Sequence, residues 1–114
     1  MGYSAPPFAV RLLFTGSMTD QPQETKEARL KRLRFRAWRR GFREIDLILG
    51  NFADRELSNL DAPGLDAFEG LLLFPNDQAV YAWIMEQEPP PADHDTPVLA
   101  LIRAFALEMT PPPQ

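Results

Sequence analysis

Acid–base catalysis by histidine would rest on one residue, because His94 is the only histidine in this 114-residue chain. It lies between Asp93 and Asp95 with no serine beside it to activate, and a solitary loop imidazole reads as a solvated group. Cysteine is absent, which removes disulfides, thiolate metal ligands and a thiolate nucleophile together. Among the carboxylates, Glu44 with Asp46 and Asp93 with Asp95 stand two apart, a spacing that does not bring them onto one helical face. They read as solvated acids, and no metal site is assigned. Gly41 and Gly50 fit neither G-x-G-x-x-G nor a P-loop, so no nucleotide cofactor is expected to be held by this chain alone. No catalytic residue is assigned, and the chain is not expected to be an enzyme.

Binding is a different matter, because the charges are segregated. Residues 26–43 hold nine of the twelve Lys and Arg, residues 44–114 hold thirteen of the sixteen Asp and Glu, and the net charge is −4. At about 100° per residue, Arg29, Arg32, Arg36, Arg39 and Arg40 collect on one side of a helix as an outward-facing basic stripe. Such a stripe could track phosphates. Against nucleic acid stand the acidic remainder of the chain and the lack of Asn or Gln in the stripe to read bases. A generic helical protein-interaction module is the other reading of the same residues.

The densest point is Arg39-Arg40-Gly41-Phe42-Arg43-Glu44-Ile45-Asp46. Gly41 suits the left-handed position that ends a helix, Arg39 and Arg40 favour its negative end, and Glu44 suits the first turn of the next. Helix punctuation does not explain so many strong charges gathered around Phe42.

The elements that carry this corner follow from periodicity. Leu30, Leu33, Ala37 and Trp38 share one face of a first helix from Glu24 to Gly41, and Ile45, Ile48, Leu49 and Phe52 mark a second that Gly50 is expected to bend or shorten. Asp61 with Pro63 opens a third, carrying Leu65, Phe68, Leu71 and Leu72, and Pro75 stops it. Asn76 caps a short fourth with Val80, Trp83 and Ile84. After a proline loop at 87–91, Thr96-Pro97 opens a fifth with Val98, Leu101, Ile102, Phe105 and Met109 inward. Trp38, Trp83, Phe68, Leu72, Ile102 and Phe105 are assigned to the core. No strand pattern, repeat or span of roughly 18 apolar residues appears, so the expected fold is all-α, a small five-helix bundle with no membrane segment. Residues 24–109 form this domain, residues 1–23 read as a disordered or extraneous leader without a proper signal peptide, and residues 110–114 as a proline-rich tail.

Residues 29–105 resemble the SdhE family of succinate dehydrogenase assembly factors. Arg40, Gly41 and Glu44 match the R-G-x-x-E motif between the first two helices. Arg32-Leu33 with Phe35, Asn76-Asp77-Gln78 with Val80, Tyr81 and Trp83, and Asp95-Thr96-Pro97-Val98-Leu99 match in order; Leu73-Phe74 and Ala79 depart from acidic positions of the family. The resemblance implies a factor that binds the flavoprotein subunit of succinate dehydrogenase, with a fumarate reductase flavoprotein as second client, and promotes covalent attachment of FAD to a client histidine. FAD then belongs to the client, the free factor is a monomer, and the compartment is the bacterial cytoplasm. On this basis Arg40 and Glu44 are expected to meet the client, Gly41 to allow close approach, and Arg39, Arg43 and Asp46 to form the rim.

Overall fold

A computed structural model describes residues 24–109, so the leader expected at 1–23 and the tail at 110–114 lie outside the described residues. Five helices follow one another: α1 Lys26–Ala37, α2 Arg43–Glu56, α3 Ala62–Leu73, α4 Asp77–Ile84 and α5 Pro97–Met109. Short 3₁₀ turns at Leu57–Asn59 and Ala92–His94 complete the described chain, which contains no strand.

Four of these helices start by one device. The side-chain oxygens of Thr25, Asp61, Asn76 and Thr96 accept the N–H of Ala28, Gly64, Ala79 and Leu99 at 3.0, 2.8, 3.0 and 3.2 Å. Each satisfies a donor that the first turn leaves orphaned, a contribution of about 1 kcal/mol per cap. Only α2 differs, for Phe42 at its N-cap offers no side-chain bond. The start of α2 must be held in some other way, and it is the expected site.

α1 packs on α2 and α3, while α5 packs on α2, α3 and α4. The centre is filled by fully buried Leu33, Ile45, Leu49, Phe52, Phe68 and Ile102. Phe52 stacks on Phe68 and meets Phe105 edge-on, both at 5.7 Å between centroids. Removing such residues from water is the main force holding the bundle, at about 1.5–3 kcal/mol for each large side chain.

Several details differ from the periodicity reading. Trp38 is only half-buried: its indole covers the backbone at Gly50, where an added Cβ would strike the ring, and its Nε1 donates to Asp54 Oδ2 at 3.1 Å. Gly50 therefore makes room for a ring, and α2 runs through it from Arg43 to Glu56 without interruption. Leu101 and Met109, expected inward, are 50% and 38% exposed. His94 is half-buried rather than freely solvated, stacked on Trp83 at 5.4 Å with Phe74 edge-on at 5.2 Å.

The basic stripe also differs. Arg29 bonds Asp66 at 2.8 Å and Glu69 at 2.9 Å, and Arg32 bonds Glu69 and Glu24 at 2.8 Å. Two arginines expected to face solvent alone thus strap α1 to α3. The Arg32 guanidinium, and then that of Arg29, hold the Glu69 carboxyl below its ordinary range against the opposing effect of burial.

Candidate functional site

The corner between α1 and α2 is built by long-range contacts more than by local turn chemistry. The Arg39 N–H donates to the Arg36 carbonyl at 3.0 Å as α1 ends. No described glycine has positive φ, so Gly41 does not take the left-handed conformation that the sequence suggests. Its requirement is spatial. A Cβ at Gly41 would run into the carboxyl group of Asp77, and would lie 3.0 Å from Asp77 Cβ.

Asp77 is held in that place by Arg40. The Arg40 Nη1 donates to Asp77 Oδ1, Nη2 to the Phe74 carbonyl, and Nε to the Leu71 carbonyl at 3.3 Å. Leu71 and Phe74 belong to the last turn and C-cap of α3, where carbonyls lack helical partners and the dipole is negative. Asp77 opens α4. One guanidinium thus caps α3, binds the first residue of α4 and fixes the end of α1. Its side chain is only 8% exposed. Burial lowers the Arg40 pKa while the Asp46 carboxylate raises it, and the group stays charged because guanidinium is so strong a base.

Asp46 supplies the missing start of α2. Its Oδ1 accepts the Gly41 N–H at 2.9 Å, and its own N–H donates to the Phe42 carbonyl at 2.9 Å. Phe42 turns toward the core and meets Tyr81 edge-on at 5.3 Å.

The six expected site residues therefore divide. Arg39, Gly41, Arg43 and Glu44 are exposed together at the corner. Arg40 and Asp46 point inward in the free chain and hold the corner's shape. Arg43 and Glu44 make no ion pair among the described residues, whereas Arg39 lies over the Phe35 ring, 3.9 Å from its centroid. Periodicity and spacing do not point to Asp77 and Glu69 as members of this framework; the only sequence signal for Asp77 is its place in the Asn76-Asp77-Gln78 match. Among the described residues no three His, Asp or Glu side chains cluster as a metal site, and no helix is long and apolar enough to cross a membrane.

A small all-α bundle with an exposed, internally braced charged corner defines the class of protein. The sequence pattern of the family described as "Flavinator of succinate dehydrogenase" matches residues 31–106, and the chain belongs to that family. It is 33% identical over 84 residues to the Drosophila sechellia protein "Succinate dehydrogenase assembly factor 2-A, mitochondrial", covering 73% of this chain and 52% of that one. It is 35% identical over 69 residues to "Succinate dehydrogenase assembly factor 2, mitochondrial" of Arabidopsis thaliana, covering 60% of this chain and 36% of that one. The chain thus spans about half the length, or less, of these curated relatives.

Proposed function

We propose that this chain binds the flavoprotein subunit of succinate dehydrogenase and promotes its covalent flavinylation, with a fumarate reductase flavoprotein as a second client. The observation that carries this reading is the corner itself: Arg39, Arg43 and Glu44 stand exposed beside the uncovered Gly41 backbone, on a frame fixed by Arg40 and Asp46. A fixed frame spares the backbone ordering cost of docking and leaves only that of the side chains, about 0.5–1.5 kcal/mol each, against the charge-assisted hydrogen bonds they form. Glu44 and the two arginines meet the client, Gly41 presents exposed backbone beside them while its missing side chain makes room for Asp77, and Arg40 and Asp46 act through the shape they impose.

The chain is no enzyme in this reading and supplies no nucleophile. FAD and the acceptor histidine belong to the client, and the factor favours the client conformation in which they react. A partner that prefers one of two conformations shifts their ratio by its differential affinity, tenfold for about 1.4 kcal/mol. Release follows before the iron-sulfur subunit docks. The free chain is a monomer of the bacterial cytoplasm, although the named relatives carry the word mitochondrial.

Glu44→Ala is the decisive variant. Glu44 is exposed and makes no ion pair among the described residues, so the thermal midpoint should stay within about 4 °C of the parent, as expected for surface changes under about 0.5 kcal/mol. Flavin fluorescence of the client in a denaturing gel should fall to the level seen without the factor. Normal client flavinylation with Glu44→Ala would remove the corner from the docking site. Retention on heparin, with no flavoprotein co-purifying, would favour nucleic acid instead.

A further inference from the structure

The cations of the described residues fall into two groups. Arg29, Arg32, Arg40 and Arg55 each reach a carboxylate, and Arg103 Nε donates to the Trp83 carbonyl at 2.9 Å. Lys26, Arg34 and Arg43 reach none, and neither do Lys31 and Arg36 on the outer face of α1 or Arg39 just beyond its end. In their midst Phe35 is 59% exposed. Spacings of three and four residues bring Ala28, Lys31, Arg32, Phe35, Arg36 and Arg39 together around a shallow groove of about 640 Å³. Burial in the bundle does not require this phenylalanine, because Leu30, Leu33 and Ala37 form the inward face of α1.

We propose that this groove is a second docking surface, which takes an acidic segment of the flavoprotein bearing an apolar side chain that packs against Phe35. The proposal rests on the functional reading above. Charge complementarity selects the occupant: Lys31, Arg36 and Arg39 flank an apolar floor and reach no carboxylate among the described residues, so carboxylates beside an apolar side chain suit the face. Nucleic acid fits less well, because Arg29 and Arg32 are engaged by α3 and Arg40 is buried, which breaks the track that phosphates would follow. Arg39 belongs to both the groove and the charged corner, so one partner surface can cover the two together.

The test measures binding of apo-flavoprotein to the full chain, with Phe35→Ala and Arg36→Glu reporting on the groove and Glu44→Ala on the corner. Both groove residues are exposed, so unchanged thermal midpoints verify the fold. Phe35→Ala should weaken binding at least about tenfold, as for an aromatic anchor at an interface centre. Arg36→Glu should slow association about tenfold at low salt and flatten its salt dependence. The photo-crosslinking residue p-benzoylphenylalanine in place of Phe35 should attach to an Asp/Glu-rich segment of the client.

Affinities of Phe35→Ala and Arg36→Glu within twofold of the parent overturn the groove, while loss of binding by Glu44→Ala in the same series leaves the corner standing. Crosslinking of position 35 to a second copy, or to residues 1–23 of the same chain, overturns it in favour of that occupant. Absence of any binding by the parent chain overturns both readings.

Discussion

Replacing Gly41 by alanine places a methyl group where the Asp77 carboxyl group now sits. Asp77 is short, so it can yield only by rotating about χ1, and that rotation withdraws its oxygen from Arg40. Arg40 keeps its bonds to the Leu71 and Phe74 carbonyls but loses its hydrogen-bonded counter-charge, which leaves only the more distant Asp46 carboxylate. Breaking a fully buried pair costs about 3–5 kcal/mol. Here Arg40 is 8% exposed but Asp77 is 33% exposed, so water screens part of the loss and about 2 kcal/mol is the reasoned value. For a domain of this size that lowers the thermal midpoint by about 8–16 °C. A thermodynamic cycle isolates the cause. In an Asp77→Gly background the carboxyl group and its Cβ are both gone, and Gly41→Ala should cost under about 0.5 kcal/mol when both pairs are followed by urea denaturation. An equal cost in both backgrounds would refute the steric account and point to backbone conformation, whose penalty of about 1–2 kcal/mol has nothing to do with Asp77.

Two further perturbations probe the frame. Because the Glu69 pKa is depressed from 4.5 in the folded chain, its contribution is complete above that pH and is lost as pH falls through the lower folded value. Glu69→Gln should remove about 1 kcal/mol at pH 7 and flatten the acid limb of stability against pH; an unchanged acid limb would mean that the Arg29 and Arg32 bridges contribute nothing. Gly50→Ala should force the Trp38 ring aside, cost about 1–3 kcal/mol and shift tryptophan emission to the red as the indole gains water. A stable variant with unaltered emission would show that α2 and Trp38 are not in contact.

The bundle was legible because its signals are local. Asp61, Asn76 and Thr96 each sit three residues before the N–H they accept, and Leu65, Phe68, Leu71 and Leu72 recur at helical spacing. The candidate corner was legible only as a concentration of charge. Which charges face outward was decided by residues far along the chain: Asp77 and the Leu71 and Phe74 carbonyls for Arg40, Asp66 and Glu69 for the arginine stripe. A glycine at a helix end is the usual mark of positive φ, and nothing near Gly41 signals that a carboxyl group 36 positions away occupies the space instead. Trp38 misled for a related reason, since periodicity identifies a face but not whether a large ring will lie flat over a small residue at its edge. His94 looked like a loop residue because its neighbours in sequence are acids, whereas its neighbours in space are Phe74 and Trp83.

Because the Arg40 side chain finds its acceptors only on the stretch from Leu71 to Asp77, the surface offered by α1 and α2 cannot take its final form until the later helices have come together. A chain arrested halfway through synthesis, or cut between α2 and α3, would carry every exposed letter of the motif yet present it on an unformed hinge. On the docking role proposed for the corner, recognition becomes conditional on completeness, with the outward face of the first two helices formed only once the rest of the molecule is assembled.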